Sequence, residues 1–147
     1  MQPRLDYKKA SPEGFKALAR AHTYVASSGL ESMLVHMVYL RISQINGCAY
    51  CVDLHYRDAV GEGADPRKLN SMITWRESPW FSGRERAALA WAESLTRVSE
   101  TGAPDEAYDQ ARAAFDDDKQ LADLTYAIAV MNAFNRLGVG FRQMPAA

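Results

Sequence analysis

Arg41-Ile42-Ser43-Gln44-Ile45-Asn46-Gly47-Cys48-Ala49-Tyr50-Cys51-Val52-Asp53-Leu54-His55 is the stretch that decides how this chain is read. It reads as the end of one helix, a turn at Asn46-Gly47, and the start of another helix at about Cys48. Unpaired N–H groups at a helix start carry partial positive charge, which stabilises a thiolate placed there. A free thiol titrates near about 8.5, and helix N-termini and Cys-x-x-Cys pairings lower that value. Cys48 and Cys51 stand one helical turn apart, and His55 follows Cys51 by one further turn on the same face. A base beside a thiol is the arrangement that activates it.

Outward from this motif the helical signals continue in both directions. The preceding helix runs from about Glu31 to Ile45 and is apolar over most of its circumference, through Met33, Leu34, Val35, Met37, Val38, Leu40 and Ile42. A helix apolar all round is buried on several sides, and in so small a chain this suggests burial against a second subunit. The helix carrying the dithiol extends to about Val60, where Gly61 and Gly63 break it. Upstream, Ser11 caps a helix that begins at Pro12, takes an apolar side from Phe15, Leu18, Ala19 and Val25, and ends at Gly29. His22 reads as an ordinary residue of that helix.

Downstream, Asp65-Pro66 opens a short helix to about Trp75, and Ser78-Pro79-Trp80 is a turn. Ser82 with Glu85 forms a capping box, behind which Ala87, Trp91, Leu95 and Val98 share one face and Gly102 closes the helix. Pro104 starts another helix that ends near Phe115. Asp117 with Gln120 resembles a second capping box, opening a long helix along Leu121, Leu124, Ile128 and Met131 that Gly138 stops. The run Asp116-Asp117-Asp118 suits a turn and a helix start rather than a metal site. No run of strand alternation is present. The fold class is all-α, with about six to seven helices in a single domain over residues 1–147.

Composition sets the outer limits. A chain of 147 residues fits one domain and buries enough surface to need no disulfide or metal for its core. The formal net charge of -1 leaves no basic footprint for nucleic acid. Met1 to Ala10 is polar and charged, without the apolar region of a secretory signal. No stretch approaches the ~20 apolar residues of a membrane span, and a cytoplasmic location is expected. A reducing compartment favours catalytic or metal-binding roles for a close cysteine pair. Zinc would need four ligands, with Cys48, Cys51 and His55 joined by His36 or His22. With one Cys-x-x-Cys and no second pair, redox chemistry is the stronger reading.

The segment 41–55 resembles the signature of alkylhydroperoxidase D (AhpD)-like proteins in the carboxymuconolactone decarboxylase family. Trp75-Arg76-Glu77-Ser78-Pro79, Arg86-Ala87-Ala88-Leu89-Ala90-Trp91 and Asn132-Ala133-Phe134-Asn135-Arg136 match as well, so the resemblance spans about Phe15 to Leu137. It implies an AhpD-like helical fold, assembly into trimers or hexamers, and thiol-dependent reduction of a peroxide with no cofactor. It also implies an external dithiol, such as a lipoyl-bearing protein, as reductant. Within the family the second cysteine attacks peroxide and the first resolves the sulfenic acid. Carried over, Cys51 attacks, Cys48 resolves and His55 activates the thiol.

The residues themselves favour the two sulfurs for different reasons. Cys48 is nearer the helix start and gains more from its dipole, whereas Cys51 is within reach of His55. A specific base can move a proton where a dipole only stabilises charge, which tips the choice to Cys51. The family pattern places a glutamate where this chain has His36, and Glu31, five residues earlier, faces elsewhere. His36 can accept a proton, and its ordinary pKa of about 6.5 suits neutral pH. It is therefore the fourth catalytic candidate. Tyr50, between the cysteines, donates a hydrogen bond or packs. Asn132, Asn135 and Arg136 suit a structural role, and Trp75, Trp80 and Trp91 suit core or subunit contacts. Two alternatives stand beside the peroxidase: a redox sensor or zinc-stabilised binding protein without turnover, and a carboxymuconolactone-type decarboxylase, which would have no use for a dithiol.

Overall fold

The computed structural model describes residues 2–115 and 117–145, so Asp116 of the acidic run lies outside the described residues. The helices are α1 (Tyr7–Ala10), α2 (Pro12–Ala26), α3 (Ser32–Asn46), α4 (Ala49–Gly61), α5 (Pro66–Asn70), α6 (Gly83–Thr96), α7 (Val98–Thr101), α8 (Asp105–Ala114) and α9 (Asp118–Gly140), with a 3-10 turn over Ser71–Thr74. Six of them have ten residues or more, and α1, α5 and α7 are single turns. Among the described residues there is no strand, and the all-α expectation holds.

α3 is the hub, packed against α4, α9 and α6, while α2 lies on α9 and α8 on α6. Leu34, Met37, Val38, Tyr39, Leu40 and Ile42 are all buried. Each such aliphatic side chain contributes about 1.5–3 kcal/mol relative to exposure. The apolar circumference of α3 is thus enclosed by three helices of its own chain. The second subunit that the sequence suggested is not needed to explain it.

Several boundaries differ from the sequence expectation, among them the end of α2, which falls at Ala26 rather than at Gly29. The helix expected to reach Trp75 tightens after Asn70 into the 3-10 turn. The face drawn through Val98 breaks at Arg97, and Val98 falls in α7, where it is exposed. Gly138 does not stop the last helix, which continues to Gly140. The capping box at Ser82 and Glu85 forms as expected, with both reciprocal bonds present. At the start of α9 only half of one exists. Asp117 accepts from Lys119 N–H at 2.9 Å, whereas Gln120 turns away to accept from Arg84.

The turn that presents the dithiol is held from both sides. Gly47 ends α3 in the left-handed region at φ +69°, where a residue without Cβ is least strained. Asn46 donates to Asn132 at 3.0 Å and to Asn135 at 2.9 Å, and Asn135 donates to Ser43 at 3.1 Å. These bonds tie α9 to the last turn of α3, giving Asn132 and Asn135 the structural role expected of them. Trp75 and Trp91 are buried as expected, but Trp80 is exposed, with the Arg67 guanidinium 5.0 Å from its ring centroid. Trp75 donates to Glu93 at 2.9 Å, and Arg41 and Arg76 converge on the same buried carboxylate.

Candidate functional site

Cys48 is the residue immediately before α4, and its sulfur accepts a hydrogen bond from Cys51 N–H at 3.4 Å. Cys51 sits in the first turn of the same helix, so both sulfurs lie where unpaired N–H groups favour a thiolate. The two sulfurs are at disulfide distance, with Cα atoms 5.3 Å apart. Both are buried, and so is His55, one turn beyond Cys51. The sequence motif therefore folds into one contiguous cluster.

The two sulfurs are not equivalent. A cavity of about 220 Å³ opens beside the cluster, and Cys51 and His55 contribute to its wall while Cys48 does not. Phe15, Ala19, Leu54, Met131 and Phe134 make most of the remaining wall apolar. Tyr7, Lys8, His22, Tyr50 and Gln143 supply its polar groups. Tyr7 donates to Gln143 at 3.0 Å, linking the N-terminal segment to the chain end across this wall. Cys48 is instead pressed against α9. A Cβ added at Gly138 would meet Cys48 Sγ at 2.8 Å and Cys51 Sγ at 3.6 Å. Gly138 is a glycine so that the helix can lie against the sulfurs.

All three histidines of the chain gather here, although they come from three helices. His55 and His36 have ring centroids 5.9 Å apart, and the Tyr39 ring lies edge-on to His55 at 4.9 Å and tilted, less closely, against His22 at 5.7 Å. Burial, then the charges available to His36 and His22, push the His55 imidazole down to about 3. At neutral pH His55 is uncharged and has a lone pair free to accept a proton. Burial also lowers His22, aided by His36 and opposed by Asp58, and burial raises the Tyr39 phenol.

His36 is half-buried and its Nε2 lies 3.2 Å from Glu62 Oε1. Glu62 follows the last turn of α4, and Ser32 Oγ donates to the same oxygen at 2.8 Å. The Ser32 hydrogen bond foremost, with further help from His36, holds the Glu62 carboxyl below the usual range. Nδ1 of His36 and Nδ1 of His55 are both buried without a hydrogen-bond partner.

Among the described residues, the grouping with metal-ligand spacing is His36, His55 and Asp58, whose ligand atoms lie within 4.8 Å of one another. It leaves out both sulfurs, which lie at disulfide distance from each other. No helix among the described residues is long and apolar enough to cross a membrane.

Cys48, Cys51, His55 and His36 are thus brought to one place. His22, read as an ordinary helix residue, proves to line the cavity. Its signal was present, since Phe15, Ala19 and His22 fall at i, i+4 and i+7 on α2. Gly138 likewise continues the face of α9 that carries Met131 and Asn135. Glu62 had no local signal at all.

The carboxymuconolactone decarboxylase family model matches residues 12–94. The chain is 32% identical over 139 residues to the uncharacterized protein YdfG of Bacillus subtilis (strain 168), covering 95% of this chain and 94% of that one. Among solved structures it superposes with TM-score 0.96 and 44% identity, over 99% of both chains, on a protein of unknown function from Agrobacterium tumefaciens described as a candidate antioxidant defence protein AhpD. An uncharacterized peroxidase-related protein from Silicibacter sp. TM1040 shares the fold at TM-score 0.82 and 23% identity, over 93% of this chain and 72% of that one.

Proposed function

The chain belongs to the carboxymuconolactone decarboxylase family as an AhpD-like member, and on that premise we propose that it is a dithiol peroxidase acting on a small hydroperoxide. The observation that carries this reading is the asymmetry of the dithiol. Cys51 shares a cavity wall with a neutral histidine, while Cys48 waits behind it at disulfide distance.

In the reduced protein His55 takes the proton of Cys51, assisted by the partial positive charge at the start of α4. The Cys51 thiolate attacks the outer oxygen of the hydroperoxide, and the O–O bond breaks. The sulfur becomes a sulfenic acid, and the departing alkoxide takes up the proton to leave as an alcohol. The Cys48 thiol then attacks the sulfenic sulfur, a water departs, and the disulfide forms. An external dithiol, such as a lipoyl group on a partner protein, attacks the disulfide and leaves as its own disulfide, restoring both thiols. The chain's own residues carry the peroxide-reducing half of the cycle without a cofactor, and the external dithiol supplies the two electrons that close it.

The cavity suits this chemistry. Its size admits a short alkyl hydroperoxide, and its apolar wall excludes water from the sulfenic acid. A cytoplasmic setting, where a reductant can turn the dithiol over, and a homo-oligomer of three or six subunits belong to the same proposal. The reading is tested by adding one equivalent of cumene hydroperoxide to the reduced protein and counting thiols. Two thiols are expected to disappear per peroxide consumed. No thiol loss on mixing, with peroxide left intact, would sink it.

A further inference from the structure

We infer that Glu62 is the positioning carboxylate of a proton path that leaves the dithiol through His55 and His36. The inference rests on the thiol chemistry proposed above and deepens it. A neutral histidine at position 36 supplies no negative charge of its own beside the dithiol. Glu62 supplies one, from the end of a different helix.

The geometry is specific. Glu62 stands between Gly61 and Gly63, and Gly63 adopts φ +92°, a left-handed conformation that carries the chain away just after α4. Glu62 is left beside the first turns of α3, where Ser32 and His36 both reach its Oε1. An ionised Glu62 accepts from Nε2–H of His36, which fixes the tautomer and leaves the Nδ1 lone pair directed inward. That Nδ1 is buried and has no protein partner, and the same is true of Nδ1 in His55.

A nitrogen of each ring and a carboxylate oxygen of Asp58 lie within 4.8 Å of one another. No hydrogen bond joins either buried Nδ1 to a protein group, and the gap is one that a single water, held by bonds of about 2.8 Å, can bridge. Three converging polar groups are what such a water requires. The path then runs from Cys51 to His55, through the water to Nδ1 of His36, as the Nε2 proton moves toward Glu62. Traversed in reverse, it returns the proton to the departing alkoxide, so no proton is gained or lost over the step. His55, whose cation is disfavoured by burial, need only pass the proton on.

The test is a cycle between Glu62→Gln and His36→Glu, with Glu62→Asp as the conservative variant. Glu62→Gln is expected to lower kcat/KM for cumene hydroperoxide by ~10–100-fold through kcat, with KM little changed. Glu62→Asp should recover part of the loss. In the His36→Glu background, which places a carboxylate directly beside His55, the cost of Glu62→Gln should shrink markedly. An equal loss in both backgrounds means a structural role and overturns the inference, as does a Glu62→Gln variant with wild-type turnover. Stoichiometric zinc in the protein purified without added metal, lost in Asp58→Asn, also overturns it, because a cation would occupy the place of the water. Alkylation of the reduced dithiol by iodoacetamide reads the path without peroxide. In Glu62→Gln the apparent pKa of the reactive thiol should rise by about one pH unit, a tenfold lower thiolate fraction at neutral pH. If peroxide turnover is absent yet this rise occurs, the peroxidase reading fails and the path stands; an unchanged alkylation profile removes the path.

Discussion

Replacing Gly138 with alanine puts a methyl group where α9 meets the dithiol. The added Cβ would sit 2.8 Å from Cys48 Sγ, closer than carbon and sulfur can approach, and 3.6 Å from Cys51 Sγ, an ordinary contact. Two effects oppose each other. Alanine in a helix interior is more favourable than glycine by about 1 kcal/mol, while overpacking of a closed core costs about 1–3 kcal/mol. Cys48 is 2% exposed and held at the head of α4, so it cannot move out of the way cheaply. That places the overpacking cost in the upper part of its range, about 2–3 kcal/mol, and the net expectation is a loss of about 1–2 kcal/mol, or a fall in Tm of about 2–8 °C for a chain of this size.

The clash is with one atom, which makes the reasoning checkable. With Cys48→Ala as the reference, Gly138→Ala loses its opposing partner and should stabilise by up to about 1 kcal/mol. Denaturant titration of the four proteins gives the coupling energy, expected at about 1–3 kcal/mol. Equal effects of Gly138→Ala in both backgrounds would refute the claim that Gly138 is reserved for the sulfurs. The same substitution should slow resolution, so that the sulfenic acid on Cys51 lives longer in Gly138→Ala than in the wild type.

Two further outcomes follow from buried ionisable groups. His55 titrates at about 3 in the folded protein and near about 6.5 when unfolded, so below 6.5 the unfolded state binds the extra proton. Its contribution to stability is complete above pH 6.5 and declines as pH falls toward 3, by up to about 1.4 kcal/mol per pH unit; urea titrations between pH 7 and 5 should show a slope that His55→Gln reduces. Burial alone would raise the Glu93 carboxyl, but hydrogen bonds from Trp75, Arg76 and Arg41 hold it below the usual range. Glu93→Gln leaves Arg41 without its buried counter-charge and should cost about 3 kcal/mol by equilibrium denaturation; a cost under about 1 kcal/mol would show that the cluster is dispensable.

Much of this molecule was legible because its signals are local. The Asn46-Gly47 turn, the capping box at Ser82 and Glu85, and the stacking of Cys48, Cys51 and His55 depend on residues within one or two helical turns. The misread positions are those where a distant neighbour overrules the local preference. Gly138 looks like a helix stop because glycine is a poor helix former, yet the helix continues since the missing Cβ makes room for sulfur. Gln120 looks like half of a capping box, but Arg84 of α6 claims its carbonyl. The apolar circumference of α3 looked like a subunit contact because one helix cannot reveal that three others of the same chain surround it. His22 and Glu62 reach the site from α2, which lies on α9, and from the end of α4, which packs on α3, and only that packing brings them to it. The motif marked the chemistry; its surroundings are a property of the fold.

The most direct test of the account is the location of the first oxygen. Reduced Cys48→Ser, given one equivalent of cumene hydroperoxide and a dimedone trap, should carry the adduct on Cys51 as read by peptide mass spectrometry, while Cys51→Ser should carry none. An adduct on Cys48 of Cys51→Ser, with Cys48→Ser unmodified, would contradict the assignment of Cys51 as the attacking sulfur.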